Sequence, residues 1–268
     1  VSGPRHEIVR SLSGRLDELT DELVADILAD NPGYHDAALI PLRELRRSCR
    51  TNLDRVLQIL GDEVPSGQDP YDAAAQTGTR RAEQRVPLDA VLRSFRLGGR
   101  VIWRGMVRTA REDDRLDRDR LLEVATTVWT VVDEVSSQVA QAFRTRELQL
   151  QRADEHRRHA LVGDLLRGRG TRDPGFAGRA AAELGLPAEG SYVVVVADSA
   201  ADGTPGLAMP HDVLAAHGVR SVWAPREQTL VGLIALEGRA VGAVLAHLRP
   251  GVRARVAAGP VVPGLAEV

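Results

Sequence analysis

The 268-residue chain contains no lysine, so all 35 of its basic residues are arginine. Set against 37 acids they leave a formal net charge of -2. That excludes an overall basic field for nucleic acid, and any DNA contact has to come from a local patch or another domain. Cysteine is nearly absent. Cys49 stands alone, which rules out an internal disulfide and, within a helical pattern, reads as a buried structural thiol in a reducing cytoplasm. Aromatic residues make up 3%, so the core has to be built from Leu, Val and Ala, as helix bundles are. The longest apolar run, Tyr192 to Ala197, is too short to span a membrane and reads as a buried strand. The first residues pass directly into a charged amphipathic pattern, so no signal peptide is expected.

What is present is helical periodicity. Ile8, Leu12, Leu16, Leu19, Leu23 and Ile27 recur at three-to-four spacing and predict one helix from Arg5 to Ala29, ended by Asn31-Pro32-Gly33. A second helix is expected from Leu42 to Leu60 with Leu45, Cys49, Leu53, Val56 and Leu60 inward. Gly61 to Pro70 reads as a loop, and a shorter helix follows to Arg85.

The stretch Arg81 to Val107 organises the rest. Val86-Pro87 starts a helix, and Asp89 complements the positive end of its dipole. Leu88, Leu92, Phe95, Gly99, Ile102 and Met106 form its apolar stripe. On the adjacent face lie Arg96, Arg100 and Trp103, two forked donors and an indole able to hold a carboxylate or a purine-like effector. The alternative is an ion-pair face bridging to acids on the first helix. Gly98 and Gly99 cost about 1 kcal/mol each in a helix, so they are expected to permit a close helix crossing or, less favoured, to leave a ligand cavity.

Arg111 to Arg118 reads as a charged turn. From Arg118 to Arg167 there is no proline, and Leu121, Ala125, Val128, Val132, Val135, Val139 and Ala142 keep heptad-like spacing. One helix of about 75 Å is expected, its second half projecting from the bundle. Arg144 to His159 is polar, including Arg146 and Gln149, and a lone helix of this kind is marginal in water. Pairing with a second copy makes Val128, Val132, Val135, Val139, Arg146 and Gln149 the expected dimer and connector positions. Contacts within one chain are the alternative.

After the breaker cluster Gly168 to Gly175, a short helix from Phe176 to Leu184 leads to the strand at Tyr192. The pattern then predicts a helix fragment at Val213–Ala216, a hairpin of Arg220–Ala224 and Thr229–Leu236, a helix at Ala240–Leu248, and a strand at Val252–Ala257.

Arg81, Val86-Pro87-Leu88, Leu92, Arg96, Gly98 and Trp103, in this order, resemble the helical N-terminal domain of PucR/CdaR-type bacterial transcription regulators, shared with RsbR-type stress co-antagonists. The order of elements after residue 171, with the Gly-Leu-Pro before its first strand, resembles the GGDEF-like domain of the same regulators, related in fold to nucleotide cyclases. The fold class implied is α plus α+β: an N-terminal all-α bundle with a long connector helix, then a degenerate GGDEF-like domain. Residues 1–143 are the expected sensor and dimerisation domain, 144–170 the connector, and 171–268 the GGDEF-like domain, cut short at its C-terminus. The resemblance further implies a homodimer that acts on DNA through a helix-turn-helix lying outside this chain, with an unidentified small-molecule effector and no membrane partner.

Catalysis is not expected. A cyclase hairpin needs glycines against the nucleotide and a carboxylate for Mg²⁺, whereas the hairpin here reads Ala224-Pro225-Arg226-Glu227-Gln228. Asp198 and Glu227 remain as two carboxylates without that loop. No metal or other cofactor is expected either: His156 and His159 lack a third ligand, His35 alone is weak ground for haem, and Gly168/Gly170 lack the rest of a phosphate-binding loop. Eight arginines against four acids between Arg144 and Arg172 read as a solvated connector or as a contact to DNA phosphate.

Overall fold

The computed structural model describes residues 4–35, 40–112, 118–198, 206–248 and 255–268. The chain divides into two compact units, Val1–Gln151 and Arg152–Val268. Among the described residues no helix is long and apolar enough to cross a membrane.

The first unit is all helical: α1 (Pro4–Gly14), α2 (Leu16–Asp30), α3 (Leu42–Leu60), α4 (Asp72–Glu83), α5 (Leu88–Glu112) and the first part of α6 (Arg118–Leu166). The single first helix expected from periodicity is two. Its apolar stripe continues through Leu12, Leu16 and Leu19, all buried, but the backbone breaks at Arg15 (φ -110°, ψ 19°). The preceding Ser13-Gly14 pair supplies the weak point. The break lets Arg15 reach Glu112 at 2.6 Å. Gly33 is dictated by a close approach, since a Cβ there would lie 2.4 Å from the Cβ of Ala90.

The buried face of α5 is also broader than the expected stripe. Leu88, Leu92 and Phe95 are only partly buried at the edge of the core, while Val91, Ser94, Gly98, Val101, Gly105 and Thr109 are buried. These small residues receive α1 and α2: a Cβ on Gly105 would lie 2.8 Å from Leu12 and 3.1 Å from Leu19. Hydrophobicity does not mark such a face, because what it supplies is room. The expected crossing at Gly99 is also present, with Val132 of α6 3.0 Å from where its Cβ would be. The closest backbone approach is elsewhere, at Gly78 of α4, whose Cβ would meet the carbonyl of Val139 at 2.5 Å.

Two ion-pair ladders fix the register of α2. Arg46 and Arg50 of α3 reach Asp17 and Asp21 on one flank. On the other flank Arg100, Arg104 and Arg108 of α5 reach Asp30, Asp26 and Glu22 at 2.5–3.4 Å. These pairs are largely exposed, so solvent screens them and each contributes little to stability. Their main effect is to neutralise arginines that would otherwise form a basic surface.

The second unit contains the end of α6, then α7 (Arg169–Arg172), α8 (Pro174–Leu184), β1 (Tyr192–Asp198), α9 (Pro210–Ala216), β2 (Ser221–Arg226), β3 (Thr229–Ala235), α10 (Val241–Leu245) and β4 (Val256–Val262). The four strands form one antiparallel sheet in the order β2-β3-β1-β4, the arrangement of a βαββαβ split unit. The apolar run of β1 is explained by burial on both faces. Tyr192 packs with Val162, Leu165 and Leu184, and Val193 and Val195 pack with Leu214 and Val244.

The last strand lies later than the Val252–Ala257 expected, of which 252–254 fall outside the described residues. Gly259-Pro260 reads as a breaker in sequence, yet β4 is an edge strand, where proline is tolerated. Its pairing with β1 carries a register shift between Val193 and Val195. The charged turn expected from Arg111 to Arg118 lies mostly outside the described residues.

Candidate functional site

Arg96, Arg100 and Trp103 come together on one surface, joined by Arg93, Leu97 and Trp129 of α6. Trp129 is 54% exposed. Arg100 is not free: it bonds Asp26 at 3.4 Å and Asp30 at 3.1 Å, so at this position the ion-pair alternative is the one realised. Arg96 keeps its exposed guanidinium beside the two indoles. The result is a shallow, partly neutralised aromatic surface.

The more enclosed site lies inside the bundle, where a cavity of ≈ 50 Å³ is lined by residues of α2 to α6. Gly98 and Gly99 both border it, as do Val132 and Val135 of α6, so α5 supplies a cavity wall as well as a crossing. The lining is largely apolar, with Ser48, Asn52 and Thr77 bordering it on the side of α3 and α4 and Arg81, Tyr34 and Ser94 adding further polar groups. Arg81 is 1% exposed. It donates to Glu44 Oε1 at 2.9 Å and to Gln84, and its guanidinium carbon lies 5.8 Å from the centroid of the Tyr34 ring. Its Nε is buried and has no hydrogen-bond partner. The same Glu44 oxygen accepts from Arg80 at 2.8 Å and Gln84 at 2.9 Å.

The electrostatics follow from this packing. Burial pushes the Cys49 thiol up to about 12, the nearby Arg81 opposing the shift, so Cys49 stays protonated and unreactive. Burial likewise raises the Tyr34 phenol against the opposing Arg81 charge. At Glu44 burial acts upward, but hydrogen bonds from Gln84, Arg81 and Arg80 outweigh it and hold the carboxyl below its ordinary range.

Sequence reasoning recorded Arg81 as the start of a motif and gave it no role. A signal was there. Ala74, Gly78 and Arg81 recur at four and three along α4 and are all buried, so the arginine continues a stripe of small inward-facing residues.

The valines assigned to dimer and connector positions belong to the chain's own core. Val128, Val132, Val135 and Val139 are at most 8% exposed and pack in the helical bundle. Heptad spacing arises wherever helices pack lengthwise, so it does not distinguish a partner's helix from a neighbour in the same chain. Arg146 is tied to Glu83 at 2.7 Å and to Gln149 at 3.3 Å. The polar residues 151–158 are exposed all round α6.

In the sheet unit, Asp198 pairs in register with Thr229, and Arg226 pairs with the same Thr229 across the hairpin. Asp198 and Glu227 therefore lie at one end of the sheet. The turn contains no glycine, and Glu227 takes the left-handed conformation (φ 54°) that glycine would adopt more easily. The glycine that matters is Gly232, over which the indole of the cross-strand Trp223 lies; a Cβ there would be 2.5 Å from the ring. His35 is exposed, and His156 and His159 lie on the α6 surface. Among the described residues there is no group of three or more His, Cys, Asp or Glu placed to hold a metal ion.

Comparison with known proteins gives two family matches. The model described as the RsbT co-antagonist protein rsbRD N-terminal domain matches residues 17–158, and that of the GGDEF-like domain matches residues 167–268. Neither the curated proteins nor the solved structures yield a match.

Proposed function

We infer, for a chain that belongs to the family of the RsbT co-antagonist protein rsbRD N-terminal domain and continues into a GGDEF-like domain, the regulatory part of a PucR/CdaR-like transcription regulator. The two domains make it a regulatory or sensory module; control of DNA is the finer reading. The observation that supports it is the make-up of α6. Val128, Val131, Val132, Val135, Val139 and Phe143 belong to the core of the helical unit, Val162 and Leu165 belong to a core of the sheet unit, and residues 151–158 between them are exposed. A change of packing around Val132 or Val135 is thus made on a helix that also contributes to the sheet unit.

In this reading two copies pair through the segment 144–160, and an effector that binds one packing better shifts the population towards it. A helix-turn-helix outside this chain reads that state on DNA. Without the glycine hairpin the GGDEF-like domain transmits and does not catalyse, so GTP is expected to remain intact in its presence. A stressosome-type module acting on a partner protein is the second reading, supported by the same match to a co-antagonist domain.

Light scattering on the 268-residue chain, and on one ending after Phe143, tests the dimer. A two-chain mass that falls to one chain on shortening is expected; one-chain mass for the full chain removes the basis of the mechanism. The coding sequence past Val268 separates the two readings. A helix-turn-helix there supports DNA control, and a partner-binding domain in its place sinks it.

A further inference from the structure

The buried guanidinium of Arg81 is more than a structural ion pair requires. Glu44 is shared by Arg80, which is 53% exposed, and Arg81, which is 1% exposed, so one carboxylate faces two cations and the inner one keeps excess positive charge. Its Nε–H is the only buried side-chain polar atom among the described lining residues without a partner. An unmet buried donor of this kind is costly unless something accepts from it. Ser48, Asn52, Thr77 and Ser94 add neutral polar groups, and the rest of the lining is largely apolar: Leu23, Ile27, Leu53, Phe95 and Ile102 among others. One buried cation beside a largely apolar wall describes a site for a short carboxylate with a hydrocarbon tail.

Size sets the length of the tail. A cavity of ≈ 50 Å³ is about three to five times the ~10–15 Å³ that one water-sized group occupies, which admits a carboxylate with a tail of about one or two carbons. Access has a physical route as well. Ser48, Asn52, Thr77 and Arg81 line both this cavity and an open cleft between α3 and α4. At that boundary Thr77 accepts a hydrogen bond from Asn52 at 2.8 Å and shares one with Ser48 at 3.3 Å.

We propose that the interior of the helical unit is a binding site for a small aliphatic monocarboxylate of propionate size, its carboxylate on Arg81 and its tail against Gly98, Ile102 and Val135. This deepens the sensory reading of the helical unit and rests on it for its biological sense. Binding itself is read without DNA and without reference to oligomeric state, so either result can fail while the other stands.

The test uses the full chain and sodium propionate, followed by thermal unfolding and by saturation-transfer NMR on the propionate methyl, with sodium chloride and propan-1-ol as matched controls. The expected result is a saturable rise in Tm of about 3 °C and a methyl signal, neither of them given by the controls. Gly98→Ala supplies a variant that keeps the fold. Its new Cβ would meet only Leu23, at 3.7 Å, an ordinary contact, and alanine is the better helix former. It should raise the Tm of the free protein and abolish the propionate response. No saturable response, an equal response to chloride or propanol, or an undiminished response in Gly98→Ala overturns the proposal. So does a Tm of Gly98→Ala below that of the parent chain, because the space claimed for the tail would then be filled already.

Discussion

The two units bury different things. Among the described residues the helical unit encloses Thr20, Asn31, Arg81, Ser94 and Thr109, whereas the sheet unit encloses Ser221 alone. Asn31 shows how such groups are accommodated: its amide donates to the Ala90 carbonyl at 2.8 Å and to Ser94 at 3.1 Å. The sheet unit needs little of this, since its strands pair through their backbones and its central strand β1 is covered by apolar side chains on both faces. The contrast teaches where sensing chemistry is available. A fully apolar core specifies packing, and a core with a charge inside can also discriminate between occupants.

The largest expected effect breaks the polar side of that contrast. Glu44→Ala leaves Arg81 buried without its counter-charge and should lower stability by about 3 kcal/mol, read from denaturant unfolding. The same pair makes stability depend on pH. Because the Glu44 carboxyl titrates below its ordinary value of 4.5 in the folded chain, its contribution is complete above that value and is lost as pH falls through the folded one. An unfolding series below pH 4.5 should therefore show a weaker acid dependence in Glu44→Gln than in the parent chain. An unchanged slope would show that the pair does not carry that stability.

Next comes packing in the helical unit. Gly78→Ala drives a methyl against the Val139 carbonyl, 2.5 Å from its Cβ, and should cost about 2 kcal/mol; a neutral result would mean that α4 and α6 can separate cheaply. In the sheet unit the sign reverses. Glu227→Gly relieves a left-handed residue in the β2–β3 turn and should add about 1 kcal/mol, measured by the same unfolding curves. Smallest is Arg100→Ala on the exposed ladder, expected to cost at most about 0.5 kcal/mol and less in high salt. A loss as large as that of Glu44→Ala would erase the distinction between the buried and exposed arginines.

Much of this was legible in the sequence because it depends on local pattern. The inward positions of α3, the start of α5 at Val86-Pro87, the long α6 and the buried run of β1 follow from periodicity and from proline chemistry. What was not legible depends on neighbours distant in sequence. The kink at Arg15, the small-residue face of α5 and the edge position of β4 each answer to another element. The arginines make the same point from both sides. Arg96 and Arg100 attracted attention as a patterned pair, and one of them proved to be tied to α2. Arg81, adjacent to another arginine, entered only as the start of a motif.

Local pattern along the chain set most of the helices and strands, the α plus α+β class, and a chemistry confined to arginine for positive charge, since these are properties of the chain along its length. Only the tertiary structure decided which arginine is enclosed, that the heptad valines face their own bundle, and that two glycines of α5 border a space. Burial and unmet hydrogen bonds are relations between residues that folding brings together. Glu44 and Arg81 are 37 positions apart, and no local pattern contains their contact.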